Sequence, residues 1–252
     1  MAGFRCAEIR VKAYSGIPHY NEVNRAAWHT INIQTDRINT LIDPGANPTY
    51  IPVAENFDSV LVSHAHMDHI GGMMDVIDGV RQIPVYMTNG TMMEWFKQIK
   101  LIGGLGKDSE KFVMYSHVRD FGISFKPSYI EDGLATFYPV KHRNHGASSI
   151  LLKGSKANIF YTGDYADMPE LPNDRIDLLI TEGKRIGKDP RDYVDSNHAF
   201  ESTILELIGK LNPTYIMLIH GRYSSLKCFQ NRFHDLNILV PKENEEIIVG
   251  GE

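Results

Sequence analysis

Cysteine is almost missing from this chain. Only Cys6 and Cys228 occur, near opposite ends. That excludes a disulfide scaffold and a cysteine-based zinc cluster and suits a reducing compartment, with the cytoplasm as the expected location. An excess of basic charge is missing as well: 26 Lys and Arg face 31 Asp and Glu, for a formal net charge of −5. No global field therefore draws the chain onto nucleic acid or an anionic membrane, and any contact with a polyanion must be local. Long apolar runs are also lacking. Stretches such as YIMLI and DLLI fall far short of the roughly 20 residues that span a bilayer. The start, MAGFRCAEIR, has no apolar stretch of the kind a signal peptide needs. A soluble, non-exported protein without a membrane partner is expected. Repeats and low-complexity tracts are absent, and 252 residues with 42% hydrophobic content suffice for a sizeable core.

Short β-type runs are plentiful: 7–14, 29–35, 37–42, 59–63, 84–87, 134–140, 148–152, 158–161, 176–180 and 215–219 read as strands. Helical spacing is clearest in Phe200, Ile204, Leu207, Ile208 and Leu211, which form one buried stripe. Further helices are expected over 73–80, 91–100 and 224–233. Many strands interrupted by few helices indicate an α/β or α+β layered domain rather than regular βαβ alternation. The stretches 103–110 and 184–197, rich in Gly, charge or Pro, read as surface loops near the working face.

Eleven histidines are scattered along the chain, yet SHAHMDHIGG packs His64, His66, Asp68 and His69 into six positions. At the end of the apolar run SVLVS, residues two apart point the same way, so His64 and His66 can grip one metal ion together. Asp68 and His69 lie past that point, where the chain turns into a Gly-rich helix start, and would face a second ion. Gly71 and Gly72 would permit close backbone approach at the turn. Four donors do not complete two sites, since a catalytic zinc typically takes three protein ligands and a water. Further candidates stand after apolar strands: His142 after LATFYPV, Asp164 after NIFYTG and His220 after TYIMLI, at the strand ends where layered sheets expose reactive groups.

These residues, HAHMDH, a later His, TGD and IHG, resemble the metallo-β-lactamase fold hydrolases, and the resemblance runs from LIDPG at 41–45 to IHG at 219–221. It implies an α/β fold, an αββα four-layer sandwich, with residues 1–252 as a single domain and a dinuclear site for two divalent metal ions. Zinc leads as the metal, with manganese and iron as alternatives. One ion would be held by His64, His66 and His142, the other by Asp68, His69 and His220, with Asp164 bridging. Asp43 matches a position that in the family supports the metal loops; its other reading is a plain turn residue before Pro and Gly. KHRNHGASS offers both His142 and His145. His142 is preferred because it follows the strand directly, whereas His145 fits the spacing of thioesterase and lactamase members.

The last third is similar to the nucleic-acid branch of that family, which includes ribonuclease Z, ribonuclease J and the cleavage-factor endonucleases. In that branch a histidine at the start of a helix acts beside the leaving group, and His198 in SNHAFES takes this place. Glu182 in DLLITEG matches the acidic residue that steadies it. His198, Glu182 and Asp68 are thus the candidate catalytic residues. Chemically, phosphodiester cleavage expels an alkoxide that needs a proton, and an imidazole can supply it near neutral pH. A carboxylate partner would raise the imidazolium population. Lys141, Arg143, Lys184, Arg185, Lys188 and Arg222 fall on loops beside these residues and could form a basic mouth or simply be solvated. Two departures matter: the short stretch from Glu182 to His198 leaves no room for a β-CASP domain, and no long arm for holding tRNA is present. A phosphodiesterase or nuclease-like enzyme on small phosphodiesters or short nucleic acid is therefore the expectation. A thioester, lactone or β-lactam hydrolase and a non-hydrolytic di-iron redox member are the rival readings, and a homodimer is left open.

Overall fold

The computed structural model describes residues 8–15, 29–45, 57–73, 83–101, 118–121, 128–129, 135–144, 146–192 and 197–250. Two seven-stranded sheets lie face to face. The first sheet contains β1 (Ile9–Ser15), β2 (Thr30–Gln34), β3 (Asn39–Ile42), β4 (Ser59–Leu61), β5 (Val85–Thr88) and β6 (Val118–Phe121). The second contains β7 (Ser128–Tyr129), β8 (Ala135–Pro139), β9 (Ser148–Lys153), β10 (Asn158–Tyr161), β11 (Leu178–Glu182), β12 (Tyr215–Ile219) and β13 (Ile238–Leu239). A last strand, β14 (Glu245–Val249), returns to the edge of the first sheet, antiparallel to β1. The spatial orders are β14-β1-β2-β3-β4-β5-β6 and β13-β12-β11-β10-β9-β8-β7.

The alternation of the strands builds the layers. In the second sheet Ile150, Leu152, Ile159, Tyr161, Leu178, Ile180, Met217 and Ile219 face the first sheet and meet Ile9, Val11, Ile31, Ile33 and Ile42. The intervening Leu151, Phe160, Leu179, Ile216 and Leu218 face outward into a second cluster with Ile204, Leu207, Leu226 and Phe229. Those last four come from α3 (Glu201–Leu211) and α4 (Tyr223–Arg232). On the other side Leu41, Val60, Val62, Val85 and Met87 pack with Ile70 and Trp95, from α1 (Met67–Ile70) and α2 (Asn89–Leu101). Strands buried on both faces explain the near-continuous apolar runs. Each fully buried aliphatic side chain contributes roughly 1.5–3 kcal/mol. The layering is the αββα sandwich expected from the sequence. Among the described residues, no helix is long and apolar enough to cross a membrane.

Several expectations move. The strand expected at 176–180 runs instead as Leu178–Glu182, which puts Glu182 on the last position of a buried strand. The helix around Asp68 begins at Met67, before the glycines, and Gly71 has ordinary right-handed angles (φ −62°). The glycine that a close approach does require is Gly45, where a Cβ would lie 1.8 Å from the carbonyl oxygen of Asp68. Strands β6, β7, β13 and β14 stand outside the expected set. Of the expected helix 73–80 only Met73 is described. The loop 103–110 lies outside the described residues, and 184–197 is described except for 193–196, with a single 3-10 turn at Pro190–Asp192.

One edge of the sandwich gathers the chemistry. Strands β8, β10, β11 and β12 run in one direction, β10 to β12 being parallel and β8 antiparallel to β9. Ser148 N–H at the start of β9 donates to Ser63 C=O at 3.0 Å. This ties the end of β4 to the edge where β8, β10, β11 and β12 finish.

Candidate metal centre

Past the end of β4 the chain delivers His64 and His66, and past the end of β8 it delivers His142. His66 Nδ1 lies 3.1 Å from His64 Nε2 and 3.0 Å from His142 Nε2. Each outer ring is anchored from behind. His142 Nδ1–H donates to the carbonyl oxygen of Asn197 at 2.9 Å. His64 Nδ1–H donates to Ser63 Oγ at 2.9 Å, and Ser63 Oγ–H passes the chain on to Asp43 Oδ2 at 2.6 Å. These anchors set the tautomers so that the Nε2 lone pairs point inward.

Asp164, on the turn after β10, stands between this group and the next. Its Oδ2 is 3.8 Å from His64 Nε2, and its Oδ1 is 3.5 Å from His69 Nε2 and 2.6 Å from His220 Nδ1. Asp68 Oδ2 lies 3.5 Å from His220 Nε2 and 4.0 Å from His69 Nε2. His220 holds a left-handed backbone (φ 49°) immediately after β12, and Asp43 does the same (φ 48°) after β3. Such conformations are costly for residues other than Gly and cluster at functional sites. The seven residues expected as ligands, His64, His66, Asp68, His69, His142, Asp164 and His220, thus converge at one edge, and the structure brings His142 among them. His145, the rival to His142, lies outside the described residues.

Asp43 sits beneath the cluster, fully buried. It accepts hydrogen bonds from Ser63 N–H at 2.7 Å, Tyr161 Oη–H at 2.5 Å and His69 Nδ1–H at 2.8 Å. It therefore orients His69 rather than serving only a turn. Burial pushes the imidazolium forms of His64 and His66 down and lowers His142 to about 4. Their lone pairs are therefore free near neutral pH. Burial also opposes the charge on Asp68, but hydrogen bonding to His220 and the nearby His69 and His220 outweigh it and hold the carboxyl well below its ordinary range.

Glu182 and His198 meet behind this cluster. His198 Nδ1 is 2.7 Å from Glu182 Oε2 and 3.4 Å from Asp164 Oδ2. Glu182 Oε1 accepts from the backbone N–H groups of Tyr165 at 2.9 Å and Ala199 at 3.3 Å. The expected gain in imidazolium is not what this environment produces. Burial holds His198 down to about 3. Burial, with the charge of Asp164, pushes Glu182 well up. Both shifts favour the uncharged forms of the pair, because burial leaves neither charge solvated.

Of the six basic loop residues, Lys184 Nζ reaches His220 Nε2 at 3.4 Å, and both Lys184 and Arg185 disfavour a charge on His198. Lys141 is engaged by Asp167 at 2.6 Å on the surface, while Arg143, Lys188 and Arg222 are exposed. Sequence reasoning did not single out His29, Ser63 or Tyr161. Ser63 lies beside the histidine motif and could have been read there. His29 and Tyr161 have no local pattern that marks them.

The chain matches the family model described as "Beta-lactamase superfamily domain" over residues 32–221. It belongs to that superfamily. It is 28% identical over 192 residues to Endoribonuclease YSH1 of Gibberella zeae, covering 64% of this chain and 23% of that protein. It is 29% identical over 153 residues to the anti-Pycsar protein Apyc1 of Bacillus phage BSP38, covering 52% of this chain and 59% of that one. The chain thus spans less than two thirds of the length of either relative. The metallo-β-lactamase fold protein YhfI of Bacillus subtilis matches with a TM-score of 0.66 at 16% identity, covering 96% of this chain and 100% of that chain. At that identity the likeness shows the fold alone.

Proteins of this fold typically bind two metal ions, and the donors here suit such ions. Among the described residues, His69 Nε2 and Asp164 Oδ2 are buried without a hydrogen-bond partner. The donor atoms of His64, His66, His142 and Asp164 lie within 4.8 Å of one another. Buried, unpartnered acceptors are costly unless something outside the chain fills the site.

Proposed function

We propose that this superfamily hydrolase is a dinuclear-metal-dependent phosphodiesterase acting on small phosphodiesters or short single-stranded nucleic acid, within a single domain. The observation that carries the reading is the Glu182–His198 pair at 2.7 Å, placed 3.4 Å from Asp164. A thioester expels a thiolate, which leaves without a proton, so a thioesterase has no need of such a proton source beside the metal donors. His64, His66 and His142 would hold one ion, and Asp68, His69 and His220 the other, with Asp164 shared. Zinc fits this nitrogen and carboxylate donor set, and manganese or iron is the alternative. When bound, two such ions lower the pKa of a water toward ~7 and neutralise charge on phosphoryl oxygens.

The protein's own residues supply the rest. Asp68, kept ionised and partly open to solvent, accepts a hydrogen bond from the attacking water and orients it. Lys184, beside His220, contributes positive charge toward a phosphate oxygen. His198 gives its Nε2 proton to the departing alkoxide while Glu182 passes its carboxyl proton to Nδ1. The pair begins with a carboxylic acid and a neutral imidazole and ends with a carboxylate and the other neutral tautomer, so one proton leaves and no buried imidazolium is required. A reducing, cytoplasmic setting belongs to the same reading, in keeping with the free, exposed thiol of Cys228.

The test is a substrate panel on the metal-loaded protein: bis(p-nitrophenyl) phosphate, nitrocefin, a lactone and a glutathione thioester. Turnover of the phosphodiester well above the others is expected. Faster thioester, lactone or β-lactam hydrolysis would overturn the reading.

A further inference from the structure

The middle imidazole of the first pocket has no anchor on its own ring. His64 is held from behind by Ser63 and His142 by the carbonyl of Asn197. Among the described residues, the ring of His66 makes hydrogen-bond contacts only with His64 and His142. Its place is therefore set by its backbone. Gln98, on α2, donates from its side-chain Nε2–H to the carbonyl oxygen of Ala65, in the peptide that leads into His66. Ala65 is fully buried and packs in one cluster with Trp95 of the same helix.

The same helix grips the loop that brings the third imidazole. Beyond His142 that loop returns to the sheet through Gly146, whose carbonyl oxygen accepts from Thr88 Oγ1–H at 2.5 Å and from Thr91 Oγ1–H at 3.1 Å. Thr91 N–H donates to Thr88 Oγ1 at 3.1 Å. The approach is so close that a Cβ on Gly146, where φ is +78°, would lie 2.3 Å from Thr88 Oγ1 and 2.6 Å from Thr91 N. Thr88 ends β5, and Thr91 stands fully buried in the first turn of α2. Thr91, Trp95 and Gln98 fall at i, i+4 and i+7, on one face of the helix, and about 10 Å of helix axis separates the first from the last. One rigid element thus holds both loops that supply the first pocket. The second pocket is supported elsewhere: Asp43 accepts from His69, and the ring of His29 stacks on that of His69, with planes 9° from parallel, and meets the edge of His220 at 4.3 Å.

We propose that α2 is the brace of the first metal pocket: Gln98 positions His66, and Thr91, with Thr88, positions the loop of His142, so that the helix sets the span over which His64, His66 and His142 meet. The inference rests on the dinuclear reading above. Gln98 and Thr91 touch neither ion nor substrate and act through the backbone of the ligands. Their loss lowers affinity in the first pocket and spares the second, which hangs on other elements. By linkage, an ion in the first pocket also tightens the bond that Gln98 makes.

Cobalt(II) provides the probe, because its visible absorption reports ligand geometry at each pocket without reference to turnover. The metal-free protein is titrated beside Gln98→Met, which keeps the length and removes the donor, and Thr91→Val, which keeps the shape and removes the hydroxyl. Thr91→Ser restores the hydroxyl, and His66→Ala marks the band of the first pocket. Met93→Gly, at an exposed position of α2, loosens the helix without removing either bond. Circular dichroism checks folding. Two ions are expected in the unaltered protein. In Gln98→Met and Thr91→Val the first-pocket ion is expected to bind about tenfold more weakly, the low end for supports behind a ligand, with its band altered and the second ion unchanged. Thr91→Ser and Met93→Gly are expected to stay close to the unaltered protein. As a measurement that needs no variant, zinc loading is expected to slow proton exchange at the side-chain amide of Gln98 more than at that of Gln230, which is bonded to the Ile238 carbonyl outside the cluster. Two ions in the unaltered protein, with first-pocket affinity and band unchanged in either Gln98→Met or Thr91→Val, would overturn the brace and leave the dinuclear reading standing. An equal loss in Met93→Gly, or equal slowing at Gln98 and Gln230, would do the same. Fewer than two ions in the unaltered protein would overturn the dinuclear reading and this proposal with it.

Discussion

Asp43, just after β3, and His69, on α1, are joined by a hydrogen bond in which Asp43 Oδ2 accepts from His69 Nδ1–H at 2.8 Å. The bond leaves the Nε2 lone pair of His69 as the face turned toward Asp164. Asn at position 43 keeps the left-handed backbone, which Asn tolerates well, but its amide presents a donor to one of the groups that now donate to Asp43. Asp43→Asn is therefore expected to fold and to weaken metal binding by about 10–100-fold, the usual cost of losing such a supporting carboxylate. Metal-buffered titration of the purified variant measures it. Unchanged affinity would mean that Tyr161 and Ser63, not the histidine, are what Asp43 serves.

The Glu182–His198 pair makes a separate claim about leaving groups. His198→Ala removes no proposed ligand, so metal content is expected to hold. Cleavage of an unactivated diester is expected to slow by ~10²–10⁴, the range for losing a general acid. A p-nitrophenolate leaves without help from a proton, so the loss on bis(p-nitrophenyl) phosphate is expected to be much smaller. Equal losses on both substrates would leave His198 as a binding or structural residue.

Glu182 also carries a pH signature in the metal-free protein. Burial pushes its carboxyl well above the ordinary value, so the folded state favours the protonated form. The stability associated with that form is complete below the ordinary carboxylate range and is lost as pH rises from there through the raised value. Glu182→Gln cannot ionise, and its amide can still accept from Tyr165 and Ala199. The variant is expected to gain in Tm relative to the unaltered protein as pH rises above about 4.5. For a chain of this size the gain is roughly 2–4 °C per kcal/mol. Scanning calorimetry on both proteins from acid to neutral pH checks the sign, and a constant difference across pH would contradict it.

Much of this was legible from sequence because period and chemistry coincided. The runs at 158–161 and 215–219 are apolar at every position or nearly so, the mark of strands covered on both faces, and they appear as β10 and β12 with those bounds. His64, His66, Asp68 and His69 are legible because four donors in six positions have no packing explanation. What escaped was set by tertiary contact. β14 has two glutamates and an exposed edge, so its pairing with β1 rather than its own composition makes it a strand. Gly45 is required by the backbone of Asp68, a neighbour only in space. His29 is a lone histidine before a strand, and nothing local separates it from a surface residue. The carboxylate effect on His198 was misjudged because pairing was legible and depth of burial was not.

His142 and His145 can be separated directly. His142 Nε2 is 3.0 Å from His66 Nδ1, so His142→Ala is expected to lose one metal and nearly all activity, while His145→Ala keeps its metal. Elemental analysis after dialysis, with the unaltered protein expected to hold about two ions per chain, gives the comparison. The reverse result would transfer the role to His145 and favour a thioesterase-like spacing.

Substrate length follows from charge and its placement. A protein that tracks a long polyanion neutralises many phosphates, and each one adds about 0.7 to the steepness of the log–log salt dependence on single strands. The net charge here is −5. Lys141 is engaged by Asp167, and among the described residues Lys184 and Arg185 are the basic groups whose charge acts on His198. Two phosphate contacts correspond to a slope of only about −1.4. Dinucleotides and short single-stranded oligomers are therefore expected to be cut about as well as long RNA, with a modest fall in kcat/KM between low and physiological salt. Measuring kcat/KM on dinucleotides, oligomers and folded RNA across a salt series tests both parts. A strong preference for long or folded RNA together with a steep slope would require a basic surface beyond Lys184 and Arg185, and would replace the small-substrate reading with that of a true ribonuclease.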